Sequence, residues 1–380
     1  MTRRALVVLG AAAVVVASYV ASATARSASP PSTTPTSRGT SRPLAEELRG
    51  LPLARVMVNA RKGELVIELP PIDLPAGTGH HSTNQPPVAL AELPVGGAIF
   101  GFRTELVDDA GHKLSPDLIH HFNVLDPLHR ELFLPIGQRI AGAGKETGVV
   151  RLPKLLFGAP FARGEKVVAS AMLHNPTTVS YNGVRARLVL SYVPDNRPWP
   201  LFRSYPWQLD VGFPVGDKSF DLPPGRSERA YEGRPSIAGD IVAIGGHLHE
   251  YGVSIELSDA TTGQLIWRAE PVRDDRREVR AMPIGKLYGL THIGAHIVPE
   301  HRYRVRVVYD NPTGQVVAGG GMGVVAGLFV PDGDQPWPTI NPSDSLYQED
   351  LRHFLRLHGV WLQAKQAERG APHMGAHMLH

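Results

Sequence analysis

The chain has 380 residues, 39 Lys and Arg against 36 Asp and Glu, a formal net charge of +3, and no cysteine. That length is long for one core and comfortable for two compact domains plus a tail. Lys and Arg are spread and not gathered into runs, which excludes a nucleic-acid surface. Without thiols there is no zinc finger, thiolate-held iron–sulfur centre or cysteine nucleophile, so a bound metal must rely on His, Met, Asp or Glu.

In chain order, residues 1–26 read as an export signal or N-terminal membrane anchor. Arg3-Arg4 precede the apolar run Ala5 to Val20, and Ala21-Ser22-Ala23 or Ala23-Thr24-Ala25 offers a small-x-small cleavage site. The expected location is therefore outside the cytoplasm: extracellular, periplasmic, or anchored and facing outward. Residues 27–43 form a Ser, Thr and Pro linker with too little apolar content to order.

From residue 44 onward, apolar or alternating segments of four to eight residues recur between Gly, Pro and Asn breaks. Glu64 to Leu69, Ala98 to Leu106, Lys166 to Leu173, Val184 to Tyr192, Ile241 to His247, Gly252 to Leu257, Leu265 to Ala269 and Tyr303 to Tyr309 are the clearest strands. Many short strands and few helical periods predict an all-β chain of two jelly-roll-like antiparallel β-sandwiches, over 44–200 and 201–341. The Pro-rich passage Pro194 to Pro206 marks the boundary. Within 342–380, Ser345 to Glu368 has a helical period and is expected to pack on the second sandwich or on a partner. The tail beyond it, Pro372 to His380, is rich in His and Met and reads as a frayed terminus or a weak copper-capture arm. No repeat with a clear sequence period emerges.

Two groups of potential ligands stand out, one in each expected sandwich. His120 and His121 are adjacent, and neighbours on a strand face opposite ways, so both reach one ion only at a bulge or strand end. His174 follows an apolar run that Asn175-Pro176 breaks, which places it on a rim. In the second group, His247 and His249 are two apart and point to the same face of a strand. Met322, within Gly319-Gly320-Gly321-Met322-Gly323, adds a thioether. Two imidazoles with an uncharged sulfur suit copper, because thioether favours Cu(I) while imidazole holds both oxidation states. The bland alternatives are strand-face histidines and a core methionine. His80-His81 reads as an exposed loop, and His292 and His296 as loop residues or outer supports of the second group. The stretch Gly142-Ala143-Gly144-Lys145-Glu146-Thr147 is similar to a phosphate loop but lacks its full spacing and setting.

The order His-His, His, His-x-His, Met resembles that of the copper type II, ascorbate-dependent monooxygenases, the family of peptidylglycine α-hydroxylating monooxygenase and dopamine β-monooxygenase. The resemblance covers about Leu51 to Asp332. It implies two jelly rolls facing each other across a solvent cleft, with two copper ions as cofactors. His120, His121 and His174 would hold the electron-relay copper, and His247, His249 and Met322 the copper that activates O2. It further implies ascorbate or another small reductant as electron donor, and O2 and a small organic molecule as partners, one oxygen atom entering a C–H bond. Departures from the family are the missing disulfides, Gly321-Met322-Gly323 where the family has Glu-Met-Cys, and Gly245 and Ala326 where its peptide-amidating branch has Arg and Tyr. Those last two argue against a peptide-amidating role. The same residues also allow a copper-binding or copper-delivery protein on this scaffold, or a metal-free adhesion or carbohydrate-binding sandwich.

Overall fold

The computed structural model describes residues 48–355 except 80, 81, 83, 215–217, 276–278 and 334. The export segment, the linker, His80-His81, the helical stretch beyond residue 355 and the His/Met-rich tail lie outside the described residues. Among those described, no helix is long and apolar enough to cross a membrane.

The chain adopts the expected all-β, two-sandwich architecture with a short C-terminal helix. Twelve strands precede residue 204: β1 (Arg55–Asn59), β2 (Glu64–Glu68), β3 (Ile72–Leu74), β4 (Ala89–Glu92), β5 (Gly97–Val107), β6 (Ile119–Arg130), β7 (Gly137–Ala143), β8 (Val150–Arg151), β9 (Phe157–Phe161), β10 (Lys166–Leu173), β11 (Tyr181–Pro194) and β12 (Phe202–Arg203). One sheet runs β1-β2-β11-β5-β9-β12, with β3 on β11 and β8 on β5; the facing sheet runs β4-β10-β6-β7. Alternation explains the packing. On β2, Leu65 and Ile67 turn inward, meeting Phe122 and Val124 of β6 and Val167 and Ala169 of β10 in one core.

The second half carries β13 (Tyr205–Asp210), β14 (Phe220–Leu222), β15 (Gly225–Gly233), β16 (Gly239–Leu248), β17 (Gly252–Asp259), β18 (Leu265–Ala269), β19 (Val272–Arg273), β20 (Val279–Ala281), β21 (Gly285–Lys286), β22 (Ala295–Ile297), β23 (Tyr303–Asn311), β24 (Val317–Gly321) and β25 (Gly323–Pro331). Its main sheets run β13-β25-β16-β21 and β15-β23-β17-β18.

The two sandwiches are built on one plan. In the first, the side-chain amide of Asn175 donates to Leu74 O, Pro75 O and Val179 O, and its oxygen accepts from the Thr177 N–H and hydroxyl. In the second, Asn311 does the same with Leu222 O, Pro223 O, Gln315 O and Thr313. Asp73 and Asp221 complete the match, accepting from the backbone N–H of Gly183 and Gly319. The shared text is an Asp-Leu-Pro step and a distant Asn-Pro-Thr step. It is too sparse to register as a period, which is why the duplication shows only in the fold.

The halves interlock. Leu132, Phe133, Leu134 and Ile136, on the turn between β6 and β7, are buried in the second core beside Trp207, Leu209 and Tyr303. A smaller cluster joins Leu152 and Phe157 to Val242, Ala243 and Val330. The C-terminal helix begins at residue 345 and continues to 355, the last described position. It departs from expectation: Tyr347, Leu351 and Phe354 pack on Leu51, Val88, Leu125 and Val168 of the first sandwich. The Tyr347 hydroxyl donates to Pro127 O at 3.0 Å, and Asp350 pairs with Arg139 at 2.7 Å, so the helix straps the chain back onto its first half.

Candidate metal centre

The histidines meet where β6 begins and β10 and β16 end. On β6, Ile119 opposes Leu173 and His121 opposes Met172, so His120 is an extra, unopposed residue. This is the bulge that the sequence requires. It turns two neighbouring imidazoles toward one side, with ring centroids 4.1 Å apart. The strand β10 stops at Leu173 because Gln85 brackets that residue's N–H and C=O and Asn175 redirects the chain. His174 thus projects from the rim, its ring 6.0 Å from that of His120.

On β16, Leu248 enters the core at 2 % exposure while its neighbours His247 and His249 face out of it together, rings 5.1 Å apart. Gly246 is required by packing, since a Cβ there would lie 2.9 Å from Ile255, whereas one at Gly245 would make only ordinary contact with Ile284 at 3.9 Å. Met322 lies in the step from β24 to β25. A side chain at Gly321 would overlap the Phe220 ring and one at Gly323 would overlap Val307, each at 2.4 Å. The family's flanking Glu and Cys therefore have no room here.

The two groups do not form two pockets separated by a solvent gap, as the resemblance implies. The His121 ring lies 5.0 Å from His247, and His120 and His121 lie 5.3 and 5.9 Å from His249. One donor atom from each of His120, His121 and His249 lies within 4.8 Å of the others, so the tightest trio draws on both sandwiches. His174 stands at the edge next to His120.

Two residues that the sequence analysis did not single out complete the site. Glu146, 8 % exposed, faces the Nδ1 of His247 at 2.6 Å. It comes from the glycine-rich turn first compared with a phosphate loop. Gly144 allows the carboxylate to fold back, because a Cβ there would lie 2.5 Å from Glu146 Oε2, and the Thr147 hydroxyl accepts from Gly144 N at 3.0 Å. The Nε2 of His247 is buried with no hydrogen-bond partner among the described residues. Burial by itself would raise the Glu146 carboxyl, but the charge and hydrogen bond of His247 outweigh it and hold the carboxyl below its ordinary range. Burial would likewise depress His247, and Glu146 with Asp210 raises it instead. Asp210, buried nearby, is pushed to about 6 by desolvation, against the Gly212 N–H and the charge of Lys218.

Tyr309 is the second. Its buried hydroxyl accepts from His249 N at 3.1 Å and from Met322 N at 3.0 Å, and donates to Met322 O. It therefore fixes the backbone of Met322 beside that of His249. Burial drives its phenol well above the ordinary range.

His292 and His296 do not support the centre. His296 pairs across the sheet with Asp240, at the other end of β16 and roughly 23 Å along the strand from His247. There it lies between Asp240 and Asp332, at 3.6 and 3.8 Å.

No protein-family model matches the sequence, and no curated protein matches it either. Among solved structures, the chain is similar to the VP2 subviral particle protein of infectious bursal disease virus, with 12% identity, a TM-score of 0.24 and coverage of 74% of this chain and 71% of that one. It is also similar to PNGF-II, with 9% identity, a TM-score of 0.29 and coverage of 74% and 62%. Likenesses this distant carry no argument about function.

Proposed function

We propose that the chain is an exported copper-dependent monooxygenase-like protein that hydroxylates a C–H bond of a small organic substrate, using O2 and a small reductant such as ascorbate. The observation that carries this reading is the convergence of His120, His121 and His249 within 4.8 Å, with His174 and His247 around them. Fit is tested by the donor set itself: imidazoles without thiolate suit copper, and the bare, buried Nε2 of His247 is a donor atom oriented by a carboxylate on its other nitrogen. When bound, two copper ions would supply one-electron redox steps and the activation of O2.

The residues contribute the rest. The bulge at His120 presents two donors from the first sandwich, the C-terminal end of β16 and the residue after it present two from the second, and Tyr309 keeps the Met322 backbone in the same neighbourhood. Buried Glu146 and Asp210 balance the charge of a bound cation. The N-terminal export pattern supports a location outside the cytoplasm.

One observation favours a second reading: the two groups are interleaved and not apart, which suits a protein that stores or hands on copper without oxygen chemistry. The experiment is metal analysis of protein purified without added metal, followed by O2 uptake with ascorbate. Two coppers per chain with ascorbate-dependent O2 uptake is the expected result. Tightly held Cu(I) with no O2 uptake would establish the carrier, and failure to retain copper after loading would overturn both.

A further inference from the structure

We infer that Glu146 is the positioning residue of this centre: a carboxylate of the first sandwich that fixes the ring orientation and tautomer of His247, a ligand carried by the second. The inference rests on the copper reading above and extends it to how the ligand set is assembled.

Geometry assigns the role. An ionised carboxylate only accepts hydrogen bonds, so in the neutral ring the 2.6 Å contact places the proton of His247 on Nδ1 and leaves Nε2 with its lone pair free. That Nε2 is buried without a hydrogen-bond partner among the described residues, and the ring stands edge-on to His121 at 5.0 Å, on the side where the other imidazoles gather. A buried imidazole nitrogen left bare costs free energy unless something binds it, and an ion does so.

The turn is shaped for this carboxylate and for little else. Gly144 makes room for it, and Thr147 closes the turn in both directions, its N–H donating to Gly144 O at 3.0 Å and its hydroxyl accepting from Gly144 N. Glu146 points across the seam, its carboxylate meeting the His247 ring of the other sandwich. Farther along the same seam, Glu131 accepts from Gln208 N and Gln138 donates to Pro206 O, so the sandwiches are already fixed and Glu146 has a ring to aim. Loss of the carboxylate should therefore leave the fold and loosen one ligand.

The experiment compares wild type with Glu146→Gln and Glu146→Ala. Cu(I) affinity is measured by competition with a chromophoric chelator, the Cu(II) electron paramagnetic resonance spectrum is recorded, and long-range 1H–15N spectra of the metal-free proteins at pH 8.5 report the His247 tautomer. The expected result is an unchanged circular dichroism spectrum, a 10–100-fold loss of affinity in Glu146→Ala with altered copper hyperfine coupling, and a smaller loss in Glu146→Gln, whose amide oxygen still accepts from Nδ1. Wild type should show His247 protonated on Nδ1, and Glu146→Ala should lose that preference. If wild type binds copper and both variants match it in affinity and spectrum, the positioning role is overturned. If wild type binds no copper, the functional reading fails, while the tautomer spectra still decide whether Glu146 orients the ring; a tautomer unchanged in Glu146→Ala would sink the inference on its own.

Discussion

His249 is the one second-sandwich residue in the tightest donor trio, and its backbone N–H donates to the Tyr309 hydroxyl, a bond that survives loss of the ring. His249→Ala should therefore abolish copper-dependent O2 uptake and change stability by less than about 1 kcal/mol, as for a partly exposed side chain outside the core. Full oxygenase activity in that variant would remove His249 from the site. Tyr309→Phe is the converse case. It leaves the His249 and Met322 N–H groups and the Met322 carbonyl without their shared partner in a buried place, which should cost about 2–4 kcal/mol in urea unfolding and weaken copper binding as well. At this scale the sequence displayed the histidines, because spacing alone puts His247 and His249 on one face, and it required the bulge that appears at His120. Glu146 and Tyr309 were not legible. A carboxylate becomes informative only when the fold brings it to an imidazole 101 positions away, and Tyr309 resembles any other strand-end aromatic. The glycine-rich turn around Glu146 was the available signal, and its likeness to a phosphate loop pointed elsewhere.

At the scale of elements, the paired asparagines offer a sharp comparison. Asn175 and Asn311 each hold three carbonyls and a Thr in equivalent places, one at the end of β10 and one at the end of β23. Asn175→Ala and Asn311→Ala should each lose about 2–4 kcal/mol, since several buried backbone groups lose their partner at once. Only the first should also disturb the centre, because Asn175 adjoins His174; copper affinity unchanged in Asn175→Ala would show that His174 contributes no ligand. The strands themselves were largely legible. Lys166 to Leu173 and Leu265 to Ala269 coincide with β10 and β18, since each has apolar residues meeting a core on at least one face. Strand β15 escaped notice because Gly225 to Gly233 has only two apolar or aromatic side chains, Ala230 and Tyr231, among its charged and polar residues. It is held instead by backbone pairing with β23 and by ion pairs across it, Glu232 to Arg304 at 2.5 Å and Glu228 to Arg306. The bulge also recurs, with Val253 unopposed on β17 as His120 is on β6, which ties the histidine-presenting kink to the duplicated plan. Only the first copy carries histidines there.

At the scale of the whole molecule, the two sandwiches should not unfold separately, because Leu132 to Ile136 belong by chain to one and by burial to the other. Glu131 sits at the root of that segment, fully buried, accepting from Leu132 N, Arg139 N and Gln208 N, the last from the second half. Burial outweighs those donors and raises its carboxyl to about 7 from an ordinary 4.5. The sign follows from proton binding. Below about pH 4.5 the group is protonated in both states and its favourable contribution is fully present. Between there and about pH 7 the unfolded chain releases a proton that the folded chain keeps, so stability falls as pH rises; beyond that range the loss is complete. With about 1.4 kcal/mol for each pH unit, this one carboxyl should remove roughly 2–3 kcal/mol between pH 5 and pH 7.5. Glu131→Gln, which cannot ionise, should lack that component. Urea titrations of both proteins at the two pH values give the test: wild type should lose more stability on going to pH 7.5 than the variant does. Parallel losses would mean that Glu131 is ionised in the folded protein across this range. Circular dichroism and tryptophan fluorescence should report one coincident transition in each titration, whereas separated transitions would show that the shared core does not bind the two halves into a single cooperative unit.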